Sequence, residues 1–281
     1  MTIHRNLPFN EYLALPGWNW SKIKLIKKSP RHVKWAMDNP DAGDTPSRMM
    51  LRAIHTLVLE PHWFDEDFAV YDGARNKKHA AYQAFLAAHP NATILTPKDE
   101  AKARETAAAV LAKPAAQRLM EGGEGEVSLT WTDEETGLPC KARVDWLVTG
   151  DDPRFLDLKT WGTTDEFEIS RMMTVQLVNG QQAHYLKGLQ AHGLDPESHL
   201  IIAEGHKAQD VAVVYLSKTG ALHHGERLRR ELMQRIAVCV ETDDWPGRHE
   251  EIIEVDVQEW AKGNPDDELF GNENEPEEEM P

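Results

Sequence analysis

Residues 141–162 read KARVDWLVTGDDPRFLDLKTWG, so Asp145 and Asp157 stand in strand-like runs on either side of a TGDDP turn, and Lys159 follows Asp157 by one intervening residue. Side chains alternate between the faces of a strand, which places Asp157 and Lys159 on one face and Leu156, Leu158 and Thr160 on the other. On the preceding strand the same rule groups Arg143, Asp145 and Leu147 against Val144, Trp146 and Val148. An odd-length loop around Gly150 would pair residue 146 with 156 and 147 with 155, setting Asp145 opposite Asp157. A slip of one residue would send the two acids to opposite faces. The odd register is expected, with Leu156, Leu158, Val144 and Trp146 supplying the core from the other face. Two carboxylates held close together each make the other harder to ionise. A divalent cation removes that penalty, and hard oxygen ligands suit Mg²⁺, which takes few carboxylates and keeps several waters. A lysine beside such an ion could orient or deprotonate a water, or steady charge on a phosphate. A bare D-x-K is more often a weak ion pair on a solvated sheet face, so the flanking elements decide.

Those elements change period along the chain. Lys22, Lys24, Lys27 and Lys28 alternate with Ile23, Leu25 and Ile26 in an amphipathic stretch beginning at Ser21, which Pro30 interrupts. SRMMLRAIHTLVLE, residues 47–60, reads as a stronger helix with Ser47 as N-cap and Pro61 as its stop. Helices are also expected over 77–89 and 97–113. The pattern then becomes strand-like over 124–133, 140–149 and 154–161, helical over 170–193, strand-like over 199–205 and 210–217, and helical over 221–245. This order is met economically by an α/β fold, a mixed sheet flanked by helices.

The whole-chain charge of −16 would argue against a nucleic-acid partner, but it is uneven. The run NPDDELFGNENEPEEEMP, residues 264–281, has no Lys or Arg and reads as an acidic disordered tail, whereas SKIKLIKKSPRHVKW, residues 21–35, is basic. Three segments are therefore expected: a helical N-terminal lobe over 1–120, a core over 121–263 and the tail. Cys140 and Cys239 are too few for a disulfide framework or a four-Cys zinc site. No apolar run approaches the length needed to span a bilayer, and no membrane partner is expected. The expected location is the cytoplasm.

ARVDWL, then FLDLKT, then a helix carrying GQQAHY resembles the PD-(D/E)xK nuclease superfamily, in which an Asp precedes a (D/E)-x-K strand and a helix with a Gln and a Tyr follows. Val144 stands where that pattern often has Pro. Upstream, WSKIKLIKKSPRHVKW and AIHTLVLEPHWF, with GEGEVSLTWTDEETGLPCKARVDWL and WPG further on, resemble the RecE (exonuclease VIII)-like nuclease domains of phages and prophages. The likeness runs in order over residues 6–260. It implies a restriction-endonuclease-like core in which Asp145 and Asp157 hold metal and Lys159 acts on the attacking water. In this reading Gln182 orients Lys159 or the nucleophile, supported by Tyr185, with Gln176 a rival for the glutamine role.

His55 shares a helix face with Leu51, Val58 and Leu59, which by itself suggests a buried core histidine. The resemblance implies instead a metal ligand, completing a set of His55, Asp145, Asp157 and the backbone carbonyl of Leu158 around one or two Mg²⁺ or Mn²⁺ ions. Glu124 and Glu126 read as a solvated strand face. The resemblance also places Ser21, Lys22, Lys28 and Arg31 along the path of DNA, with Arg143 against the scissile or an adjacent phosphate. Trp18 and Trp20 suit base stacking or, more simply, core packing. The implied activity is 5′→3′ digestion of one strand of linear double-stranded DNA from its ends, leaving a 3′ single strand for a RecT-like single-strand annealing protein. A ring-shaped homo-oligomer is implied as well. A structure-specific or restriction-like endonuclease, and a non-catalytic DNA-binding module, are the alternatives.

Overall fold

A computed structural model describes residues 1–39, 45–205 and 208–258. From the N-terminus, β1 (Thr2–His4) is followed by α1 (Phe9–Ala14), α2 (Trp20–Ile23), a 3-10 turn at Lys24–Lys27, α3 (Pro30–Asp38) and α4 (Pro46–Leu59). α5 (Phe64–Asp67), β2 (Phe68–Val70), α6 (Ala80–Ala88), β3 (Thr93–Leu95), α7 (Pro97–Ala112) and α8 (Pro114–Met120) complete the helical half. Then come β4 (Glu124–Thr132), β5 (Pro139–Val148), β6 (Arg154–Thr160), α9 (Glu166–Val175), α10 (Val178–Ala191), β7 (Glu197–Ala203), β8 (Val211–Leu216) and α11 (Ala221–Thr242).

Capping explains where several helices begin. Asn19 accepts from Lys22 N at the start of α2, and Ser29 from His32 N at the start of α3. α4 begins at Pro46 with Thr45, not Ser47, as its cap: the Thr45 hydroxyl accepts from Arg48 N, and Pro at the first helical position has no N–H to satisfy. The helix expected over 170–193 is two helices. Leu177 adopts a left-handed φ of 58°, which breaks the run between α9 and α10.

β4, β5 and β6 form an antiparallel meander. β7 joins β6 in parallel through α9 and α10, and β8 and β1 form the edges of the order β1-β4-β5-β6-β7-β8. β2 and β3 make a separate parallel pair. Two apolar layers cover the main sheet. On one side Ile23, Ile26, Val144, Leu147, Phe155, Leu189 and Ile236 pack together beneath α2, α10 and α11. On the other, Ile54, Val58, Ala107 and Val110 of α4 and α7 meet Leu156, Leu158 and Ile201. Each fully buried Leu or Ile contributes on the order of 2 kcal/mol.

Residues 1–120 pack directly on the sheet. β1 pairs with β4, and Trp20, Ile23 and Ile26 belong to the same core as Val127 and Phe155. The acidic segment 264–281 lies outside the described residues.

Candidate active site

β5 and β6 pair as Trp146↔Leu156, Leu147↔Phe155 and Val148↔Arg154, the register expected from the turn. Continued by one residue, it sets Asp145 opposite Asp157. The connection is tight: Asp145 Oδ2 accepts from Leu158 N at 2.7 Å. Strand alternation is not perfect. Val144 packs in the layer of Leu147 and Phe155, not with Leu156, Leu158 and Trp146 as expected. The reason lies on β4. Gly125 pairs with Trp146 and Val127 with Val144, but Glu126, between them, has a left-handed φ of 55° and no partner in the ladder. For a residue with a β-carbon that conformation costs about 1–3 kcal/mol. It twists the two strands locally and turns the Glu126 side chain toward Asp145.

His55 arrives from α4 on the opposite layer, its Nδ1 3.6 Å from Asp145 Oδ2. One ligand atom each from His55, Glu126 and Asp145 lies within 4.8 Å of the others. Burial, helped by the negative charge of Asp157, pushes the Asp145 carboxyl up to about 7. Burial and the charge of Asp145 likewise push Glu126 up to about 7. Burial lowers His55 below its ordinary value, keeping the imidazole neutral and able to act as a ligand. The Leu158 backbone lies against the same imidazole and pulls the other way. Glu126 was expected on a solvated face; only 18% of its side chain is exposed.

Asp157 is 1% exposed. Its Oδ1 accepts from Gln181 Nε2 at 3.3 Å, and Lys159 Nζ contacts its Oδ2. The buried His55 Nε2 lacks a hydrogen-bond partner among the described residues. Buried polar atoms are rarely left so. An orphaned imidazole nitrogen, beside two carboxyls that resist ionising, fits a site that can hold a divalent cation, with His nitrogen and carboxylate oxygen as donors.

Gln181, not Gln182, is the glutamine that meets Asp157. Its Nε2 also donates to Tyr185 Oη at 2.7 Å, and burial raises the Tyr185 hydroxyl well above its usual range. Gln182 faces away, fully buried, and accepts from Ser198 Oγ at 2.9 Å. Gln176 sits at the end of α9 and accepts from the Trp161 indole. The spacing of four between Gln181 and Tyr185 was the available signal, since residues i and i+4 stack on one helix face.

Arg143 is engaged within the protein. Its guanidinium pairs with Glu126 and Glu60, donates to Leu7 O at 2.7 Å and is 9% exposed at its side chain. Ser21, Lys28 and Arg31 are exposed along α2 to α3 and Lys22 is half-buried, whereas Trp18 and Trp20 are core residues. Lys24 interacts electrostatically with Lys159. Much of the residue is open to solvent, yet its ammonium is partly desolvated and feels the positive charges of Lys159, Lys28 and Arg48, which lower its pKa. No local sequence signal separates Lys24 from its neighbours.

The chain matches the family described as a PDDEXK-like domain of unknown function (DUF3799) over residues 19–256. A crystal structure from Eubacterium rectale, of a protein provisionally named an exonuclease, superposes with a TM-score of 0.59 at 13% identity, covering 93% of this chain and all of that one. The crystal structure of SSO0001 overlaps with a TM-score of 0.27 at 16% identity, over 49% of this chain and 69% of that one. No curated protein matches the chain. Among the described residues no helix is long and apolar enough to cross a membrane.

Proposed function

Since the chain belongs to this PDDEXK-like family, we propose that it is a divalent-metal-dependent nuclease that hydrolyses DNA phosphodiesters. The observation that supports this best is the meeting of His55, Glu126 and Asp145 with the Asp157–Lys159–Gln181 group at the end of one hairpin. The provisional exonuclease name of the Eubacterium rectale protein points the same way.

His55, Glu126, Asp145 and Asp157, with the Leu158 carbonyl, would hold the cation, most simply Mg²⁺ or Mn²⁺. Such an ion supplies a water acidic enough to be deprotonated near neutral pH and positive charge for the phosphate oxygens. Asp157 holds Lys159, whose ammonium faces the developing negative charge or steers the attacking water. Gln181 fixes the second oxygen of Asp157 and is itself fixed by Tyr185, so the carboxylate cannot rotate away. In the reaction a water oxygen bonds to phosphorus, one P–O bond breaks and the leaving oxygen takes up a proton. Lys24 and Lys28 would hold the approaching backbone by charge-assisted contacts. The finer reading is 5′→3′ digestion from linear duplex ends by a ring of subunits, leaving 3′ strands for a RecT-like annealing protein.

The test is incubation with linear or covalently closed duplex DNA, with Mg²⁺ or with EDTA. Consumption of the linear form alone, with Mg²⁺ only, is expected. Nicking of the circle would make the protein an endonuclease, and both forms surviving would leave a binding module. Full activity in Asp157→Ala would refute the site.

A further inference from the structure

Lys22, Lys24, Lys27, Lys28 and Arg31 line α2, the following 3-10 turn and the start of α3, and none makes an ion pair among the described residues. At Lys24 burial lowers the pKa most, and the positive charges of Lys159, Lys28 and Arg48 lower it further. A basic face so uncompensated favours an anionic partner. The chain itself brings one acid, Glu250, to this face. Arg248 donates to Lys28 O at 2.9 Å and to Lys27 O at 3.3 Å, and Pro246 O accepts from Arg31 N at 3.0 Å. Glu250 Oε1 and Arg31 Nη1 lie on the same side of Gly247, 3.7 Å and 3.4 Å from where its β-carbon would be. Segment 246–250 is thus strapped across the basic stretch. From there the sequence becomes acidic: residues 264–281 hold eight carboxylates and no Lys or Arg. The 33 residues after Arg248 span up to about 110 Å when extended, far more than the few helical turns between Arg248's anchor and Lys24.

We infer that the acidic segment 264–281 docks on the basic face around Lys22, Lys24, Lys27, Lys28 and Arg31 and there competes with a polyanion. The docking stands on charge and tethering alone; that the displaced polyanion is DNA rests on the proposed nuclease reading. Its carboxylates offer the face what phosphates would, at the high local concentration that a tether gives. A segment docked for about 90% of the time weakens apparent affinity for DNA about tenfold.

Two measurements on the full chain test this. Carbodiimide cross-linking followed by peptide mapping should join carboxylates of 266–279 to Lys22, Lys24, Lys27 or Lys28. Links absent, or scattered evenly over all lysines, would overturn the docking. In the second, Asp266, Asp267, Glu268, Glu277, Glu278 and Glu279 are changed to Asn or Gln, and binding of a labelled DNA duplex is followed in Ca²⁺ by anisotropy. About tenfold tighter binding at low salt is expected, with the difference shrinking as salt is raised. An unchanged affinity in the presence of the cross-links would overturn the competition. Cross-links in a protein that binds no DNA in either form would leave the docking intact, overturn competition with DNA and sink the nuclease reading.

Discussion

Asp145→Asn should make the metal-free protein more stable while destroying its activity. Asp145 is 9% exposed, and burial together with Asp157 raises its carboxyl from 3.8 to about 7. Each pH unit of displacement corresponds to about 1.4 kcal/mol, so holding the charge withholds at most about 4 kcal/mol at pH 8. The charge of Asp145 also raises Glu126, and because the buried Asn amide keeps part of the desolvation cost, the single substitution should recover on the order of 2 kcal/mol. The Asn amide oxygen can still accept from Leu158 N, so the 2.7 Å hydrogen bond survives. The sign follows from linkage. A carboxyl whose folded pKa is raised contributes stability that is present below 3.8 and lost as pH rises through about 7. The advantage of the variant is therefore full above pH 7 and falls to about a third of its value at pH 5. Thermal unfolding in EDTA at pH 8 should show Tm about 4 °C higher for Asp145→Asn. Added Mg²⁺ should reverse the order, because only the wild-type site gains from binding the ion. A variant less stable than wild type in EDTA at pH 8 would refute the reasoning: Asp145 would then be a structural acceptor, not a charge held at a cost.

Gln181→Ala should lower the rate of DNA cleavage by at least tenfold with little change in Tm, whereas Gln182→Ala should cost about 1–3 kcal/mol by stranding the buried Ser198 hydroxyl, read by urea unfolding, and leave cleavage intact in the folded fraction. Arg229 is 1% exposed and bridges Asp133 at 2.6 Å and Glu226 at 2.7 Å, so Arg229→Ala should cost about 3–5 kcal/mol in the same measurement, and Asp133→Asn in the same chain should restore part of it. Burial lowers the His184 imidazole from 6.5 to about 3, so its stability contribution is present above pH 6.5 and lost as pH falls toward 3, and His184→Gln should flatten the stability profile between those limits.

The register of the β5–β6 hairpin was legible in the sequence because it depends on two local quantities, the period of two along each strand and the length of the TGDDP loop. The inward face of His55 followed from helical spacing in the same way. Gln181 and Gln182 were not separable so simply, since consecutive residues point about 100° apart around a helix and the rotation of α10 decides which one meets Asp157. That rotation is set from outside the helix. A β-carbon on Gly180 would lie 2.3 Å from the Trp20 ring, and one on Gly188 2.8 Å from the Trp131 ring, so α10 seats these two bare positions against aromatic rings of α2 and β4. Glu126 and Arg143 depend likewise on the twist where β4 leaves its ladder with β5, and Lys24 on how the 3-10 turn packs near β6. The residue types of the site and the hairpin that pairs two of them belong to the sequence alone. Which glutamine, which glutamate and which lysine complete the site was decided by contacts between elements distant in the chain, because helix rotation and strand twist are set by packing and not by local spacing.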